Sequence, residues 1–481
     1  MKRRPTVLAV VGLVATTLWG ASEPGITFVG RGEIPGNLAD KSGLTGSICQ
    51  AANPSTCIPK TTLGGLGLAI TYTGFDNVFL AVPDRGPFDG RTDVTYADRF
   101  HFLHLSLDSA MNPNTGALNI TPTLLDTRML RTETNKTLVG ASSAFDTNPY
   151  SDLRFDPEGV VVTPAGTFIV SDEYGPYIYE FDPDGRMVRR IPVPSKFLIS
   201  IRTSDVNDAG DSLELYRFPF FSGSNINGNN YGRQPNRGME GLAITPDGRY
   251  LVGIMQNALI QDNGLSYTAP QVASASPSRV GLNNRILKYD LLTGLTWEYV
   301  YVMDSISQGK GVNEILAIND HEFLVLERDN RSLVSPGAAA FSPASSGLKR
   351  IYKIDLNKPG LTDVSGYEWL PESFVPVTKE LFLDLLNPSY EVDNKTPRGT
   401  IKSVVAEKIE GLAWGADLPN GHHLLYVLSD NDLNTGFPTQ IYAFEVDPSP
   451  RGANITRVKQ NTPGPMFPSA QVQQILSGKK N

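Results

Sequence analysis

A short pattern recurs along this chain and restricts its fold more than any other feature. It runs as an acid beside a glycine, an apolar run, a tight turn, a second apolar run, and then polar residues rich in acids. The clearest copy reads Asp156-Pro157-Glu158-Gly159, Val160 to Val162, the turn Pro164-Ala165-Gly166, Phe168 to Val170 and Ser171-Asp172-Glu173. Tyr177 to Phe181, a turn at Asp184-Gly185 and Met187 to Val193 add two further strands, so one unit holds four antiparallel strands. Copies follow from Met239-Glu240-Gly241, Asn313-Glu314-Ile315 and Lys408-Ile409-Glu410-Gly411. Their second strands end in Gln256-Asn257, Glu327-Arg328-Asp329 and Ser429-Asp430-Asn431-Asp432. The first unit runs from Leu66 to Asp84-Arg85-Gly86 and has Gly65 near the place where the others carry glutamate.

A unit of this size cannot bury both faces of its sheet alone, so repetition implies neighbours stacked against it. The reading is an all-β protein, a β-propeller of five to six four-stranded blades, forming a single domain over 23–481. A sixth blade would have to come from 193–236 or 360–405, which otherwise read as long loops rich in Ser, Asn, Gly and Pro. Ile26 to Ile34 is a strand without a unit of its own, and the last unit lacks an outer strand. The N-terminal strand is therefore expected to close the ring and cover an exposed edge.

Lys2-Arg3-Arg4 precede an apolar run from Thr6 to Trp19, the layout of an export signal over residues 1–22. The run falls short of the roughly 20 residues that a spanning helix needs, and no later stretch approaches that length. The expectation is a secreted or periplasmic chain with no membrane span after signal removal; a retained N-terminal anchor is the alternative. A formal charge of -8 and the lack of any basic tract speak against nucleic-acid binding. Cys49 and Cys57 are the only cysteines, and in an exported chain they are expected to form one disulfide. A metal site is the less favoured reading of the pair, because no histidine lies near them.

In a propeller the innermost strand of each blade starts, and the second strand ends, on one face of the central channel. Pairing Thr163 with Thr167 across the turn brings Glu158 opposite Asp172. Repeated around the ring, this converges Glu158, Glu240, Glu314 and Glu410 with Asp84, Asp172, Glu173, Glu327, Asp430 and Asp432. Packed acids raise one another's pKa unless something neutralises them. Oxygen donors in such number suit Ca²⁺, which accepts roughly 6–8 oxygens in flexible geometry. The five histidines, at 101, 104, 321, 422 and 423, all miss the repeated positions, which argues against zinc. Glu158, Glu240, Glu314, Glu410 and Asp430 are the expected metal ligands. Glu158, Asp172, Glu240 and Glu410 are the expected catalytic carboxylates. Arg85, Arg237, Arg328 and Lys408 either bind an anionic substrate group or pair with these acids. The competing reading is that the acids are structural, capping turns and bonding backbone amides between blades.

Asp156-Pro157-Glu158-Gly159, Ser171-Asp172-Glu173-Tyr174-Gly175-Pro176, Leu326-Glu327-Arg328-Asp329 and Lys408-Ile409-Glu410-Gly411 with Ser429-Asp430-Asn431-Asp432 together resemble the phytase-like domain family, known by its "esterase-like activity of phytase". The resemblance covers residues 60–450 and implies an exported propeller with an ester-hydrolysing activity. The functional expectation is a calcium-dependent hydrolase of phosphate or carboxylate esters. It would act as a monomer on a small anionic ester, with water activated at the acidic channel mouth. A non-catalytic binding or scaffold propeller and a sugar-lactone hydrolase are the alternatives.

Overall fold

A computed structural model describes residues 23–460, apart from 51–52, 88–95, 109–116, 141–152, 176, 199–230, 235, 263–264, 267–277, 280, 307–309, 342–346 and 393–399. The expected export signal lies outside the described residues. Five four-stranded antiparallel sheets make five blades. Blade one is Ala69–Phe75, Val78–Val82, Arg99–Leu107 and Ile120–Met129; blade two is Pro157–Val162, Phe168–Asp172, Ile178–Phe181 and Met187–Ile191. Blade three is Met239–Ile244, Tyr250–Met255, Asn283–Asp290 and Thr296–Val302; blade four is Gly311–Ala317, Glu322–Arg328, Lys349–Asp355 and Lys379–Asp384. Blade five takes Ile409–Trp414, His423–Ser429 and Thr439–Val446 from the end of the chain and Ile26–Ile34 from its start. The N-terminal strand closes the ring, as the orphan strand predicts.

The five inner strands neighbour one another in chain order, and the inner strand of blade five touches that of blade one, so among the described residues the ring is complete without a sixth blade; most of 193–236, one of the two segments expected to hold it, lies outside them. The segment 360–405 instead supplies the outer strand Lys379–Asp384 of blade four. Its half-exposed residues break the apolar run that marks the inner strands.

Inner strands read as continuous apolar runs because both of their faces are covered. Val160, Val162, Phe168 and Val170 pack with Phe100 and Phe102 of blade one, while Val161 and Ile169 point the other way, to Leu242 and Leu251 of blade three. Five apolar clusters arise this way, one at each blade junction. Each fully buried Leu, Ile or Phe in them contributes roughly 1.5–3 kcal/mol. Near the axis the strands crowd: a Cβ on Gly241 would stand 2.6 Å from the Ile315 nitrogen, and one on Gly159 would stand 2.5 Å from the Leu242 Cβ.

An irregularity repeated in four blades sets the functional geometry. Met239 pairs with Met255 and Gly241 with Ile254, which leaves Glu240 as the extra residue of a β-bulge. Asn313 and Glu410 are the extra residues in blades four and five, and Glu158 with Gly159 form the bulge in blade two. A bulge re-aims a side chain out of the ladder, and these four turn toward the channel mouth. It also shifts the pairing by one, so Asp172 faces Pro157 rather than Glu158.

Candidate functional site

The mouth of the channel is assembled from two positions per blade: the bulged residue of the inner strand and the residues that follow the second strand. In blades two to five the bulge supplies Glu158, Glu240, Asn313 and Glu410, all buried. Pro157, Met239, Val312 and Ile409 pair with Asp172, Met255, Glu327 and Ser429, so the next residue along brings Glu173, Gln256, Arg328 and Asp430. Blade one contributes Asp84 and Arg85.

The acids form a connected arc. Carboxylate oxygens of Asp84, Asp430 and Asp432 lie within 4.8 Å of one another, as do those of Asp84, Asp156 and Glu158, and those of Glu158, Glu173 and Glu240. This arc spans blades five, one, two and three. The remaining sector is amide and guanidinium. Gln256 donates to Glu240, and Asn313 Nδ2 donates to Oε1 of Glu240 at 3.1 Å and of Glu410 at 3.3 Å. Arg328 pairs with Glu410, and Arg237 donates to Gln256 Oε1 at 2.6 Å. The mouth is thus acid-rich on one side, where Arg85 and Lys408 lie among the carboxylates, and rich in amides and guanidinium on the other.

Burial pushes Glu158 well above the usual carboxylate range, and Glu240, Glu173, Asp156 and Asp84 push it further. Glu240 is raised the same way, first by burial and then by Glu173 and Glu410, against the opposing pull of Arg237 and Arg328. Asp430 is raised by burial and Asp432, while Lys408 lowers it. One oxygen on each of Glu158, Glu240, Glu410 and Asp430 is buried without a hydrogen-bond partner. Orphaned acceptors of this kind are costly unless a proton, a water, a ligand or an ion completes them. Their number, hardness and flexible spacing fit an oxygen-liganded cation.

The other expected residues fall in different places. Glu314 aligns with the glycines Gly159, Gly241 and Gly411, one step further along than the bulged residue, so Asn313 holds the position expected of an acid. The Glu314 carboxyl is buried in the channel wall, where its Oε1 accepts the amides of Leu242 at 3.1 Å and Ile315 at 2.9 Å. Asp172 organises the loop after its strand, accepting the amides of Asp156 at 2.8 Å, Tyr174 at 3.2 Å and Gly175 at 2.9 Å. Burial outweighs those bonds and pushes its pKa up to about 6. Glu327 turns away from the mouth, accepting from Tyr301 and Lys379.

Arg85 sits among Asp84 at 3.2 Å, Asp156 at 2.9 Å and Glu173 at 3.4 Å. Lys408 pairs with Asp432 and lies 3.8 Å from Asp430. Cys49 and Cys57 form the disulfide. Asp156, Gln256 and Asn313 are members of the ring that composition hides. Aligning the copies on the apolar residue before the bulge, instead of on the acid, would have exposed the last two.

A profile of the family described as "Phytase-like: Esterase-like activity of phytase" matches residues 61–433. The chain belongs to the phytase-like family. The match on this phytase-like chain runs from just before blade one to the turn after Asp432, so it contains every residue of the ring. An uncharacterized secreted protein of Arthroderma benhamiae is 28% identical over 343 residues, covering 62% of this chain; the chain spans only 63% of that relative's length. A luciferin-regenerating enzyme aligns over 87% of the chain and 99% of its own, with 11% identity and a TM-score of 0.28. A glycoside hydrolase of the GH130 family aligns over 92% and 97%, with 11% identity and a TM-score of 0.33. Likenesses this distant say nothing of chemistry. Among the described residues no helix is long and apolar enough to cross a membrane.

Proposed function

We propose that this chain is an exported, calcium-dependent hydrolase of small anionic phosphate or carboxylate esters, working at the acid-lined channel mouth. The observation that carries the reading is the set of buried, unpartnered carboxylate oxygens on Glu158, Glu240, Glu410 and Asp430 beside Arg237 and Arg328. Three groups of carboxylates, Asp84 with Asp430 and Asp432, Asp84 with Asp156 and Glu158, and Glu158 with Glu173 and Glu240, would each offer oxygens to a cation. When bound there, it supplies Lewis-acid polarisation of the ester oxygen and a water of lowered pKa. Arg237 and Arg328, across the mouth, would orient the anionic group and stabilise charge that develops on it. A ring carboxylate not engaged as a ligand would accept the proton of the attacking water.

The mutual bonding of Arg328 with Glu410 and of Asn313 with Glu240 favours a second reading, a ring that only stabilises a binding or scaffold propeller. The deciding experiment measures metal content of the purified chain and turnover of phosphomonoesters, phosphodiesters, aryl esters and sugar lactones, with and without calcium. Calcium-dependent turnover that Glu158→Gln abolishes in a folded protein supports the hydrolase. Turnover insensitive to chelator counts against it. No turnover of any ester, with Glu158→Gln altering only thermal stability, supports the scaffold.

A further inference from the structure

The acid arc is joined across the seam of the ring. Asp84 comes from blade one and Asp430 with Asp432 from blade five, the first and last blades, and no covalent link ties the two turns directly. The blade-five turn is held in unusual backbone, and the Asp84 turn relies on a glycine at positive φ. Asp432 has φ 52° and Leu433 φ 50°, the left-handed region that L side chains rarely adopt, and Gly86, two residues after Asp84, has φ 96°. Left-handed residues with side chains persist only where their surroundings fix them, and they gather at functional sites.

The surroundings here are specific. The Leu433 side chain is buried with Ile48, Ile58 and Tyr96 in a small apolar cluster separate from the five blade junctions. Ile48 and Ile58 face each other across the hairpin Ser47–Gln50 and Asn53–Pro59, which the Cys49–Cys57 disulfide closes one residue away. Tyr96 lies against the other turn: a Cβ on Gly86 would come within 2.2 Å of its ring. Arg99 stacks 4.3 Å over Tyr96 and bonds Lys60 O at 2.7 Å, which pins the hairpin's end to the same cluster. Asn431 Oδ1 accepts the Gly65 amide at 2.8 Å and so ties blade five to the segment leading into blade one.

The geometry points to a positioning role for this hairpin: the disulfide-closed loop, through Ile48, Ile58, Tyr96 and Leu433, clamps the Asp84 and Asp430–Asp432 turns into one cation-binding cluster. The proposal rests on the reading of the acid ring as a cation site. Leu433 and the two cysteines touch no ligand themselves, so they act through Asp84, Asp430 and Asp432.

The test uses the full mature chain and terbium(III), a luminescent stand-in for calcium. Leu433→Ala, and Cys49→Ser combined with Cys57→Ser, are expected to weaken terbium binding at least tenfold while the propeller still unfolds cooperatively; Leu433→Met, which keeps the anchor, retains parental affinity. Affinities within twofold of the parent in both weakened variants overturn the clamp. Amide hydrogen exchange of residues 430–437 in chelator gives a reading independent of metal, and it is expected to quicken in both variants. If the parent binds no terbium, the cation reading fails and exchange alone decides: unchanged protection of 430–437 overturns the clamp.

Discussion

Asn313 Nδ2 stands 3.1 Å from Oε1 of Glu240, as an amide donor at the one bulge position in blades two to five that lacks an acid. It also reaches Glu410 at 3.3 Å and so bridges two carboxylates. Asn313→Asp replaces that donor with a third like charge. We expect the metal-free protein to lose about 1–3 kcal/mol of stability. Calcium should restore part of it. Thermal melts with chelator and with calcium check both signs.

Glu158 and Glu410 occupy equivalent positions in two blades, yet their neutral amides should shift stability in opposite directions. Glu158 faces other acids, so Glu158→Gln is expected to stabilise the metal-free protein at pH 8 by about 1–3 kcal/mol while abolishing calcium binding. Glu410 pairs with the buried Arg328, so Glu410→Gln leaves a guanidinium without its partner and should cost about 3–5 kcal/mol. Denaturant unfolding of the two variants in chelator distinguishes them. Destabilisation by Glu158→Gln would show that the ring is a structural ion-pair network.

The pH dependence follows from the same acids. Glu158, Glu240 and Asp430 have folded pKa values above their unfolded ones, so the folded state holds protons that the unfolded state has released. The stability they contribute is fully present below the unfolded value, about 4. It is lost as pH rises through the raised folded values. The metal-free protein should therefore be more stable near pH 5 than at pH 8. Saturating calcium should flatten or reverse the slope, because the ion competes with those protons. Melting temperature against pH, in chelator and in calcium, measures this.

What the sequence revealed and concealed has physical causes. The inner hairpins were legible because residues such as Val160 to Val162 are covered on both faces and read as unbroken apolar runs. Outer strands such as Lys379–Asp384 were not, because exposed positions interrupt the run. The ring closure was legible from an unpaired strand at one end and a missing strand at the other. The site was legible as a set of acids at strand ends but not in its register. A bulge adds one residue without a compositional mark, so Glu314 looked equivalent to Glu158 while Asn313 holds that place. Asp172 looked like half of a carboxylate pair, yet the same bulge sets it against Pro157 and turns it to three backbone amides.

The closing strand offers the most direct test of the architecture. Ile26–Ile34 pairs along its length with Thr439–Val446, from Ile26 with Val446 to Ile34 with Thr439. It also lies against blade one, where a Cβ on Gly32 would come within 2.6 Å of the Ile120 carbonyl oxygen. Backbone cannot yield as a flexible side chain can, so Gly32→Val must displace the strand or its neighbour. We expect a loss of about 1–3 kcal/mol, read as a lower urea midpoint with an unchanged slope. Gly366→Ala, where the added methyl meets nothing within 4 Å, should stay within about 0.5 kcal/mol of the parent. Deleting residues 23–34 goes further, because it leaves Thr439–Val446 as an uncovered edge with a row of unpaired amides and carbonyls. That variant should self-associate in light scattering. If it remains monomeric and as stable as the parent, the strand is an ornament and the ring closes by other means.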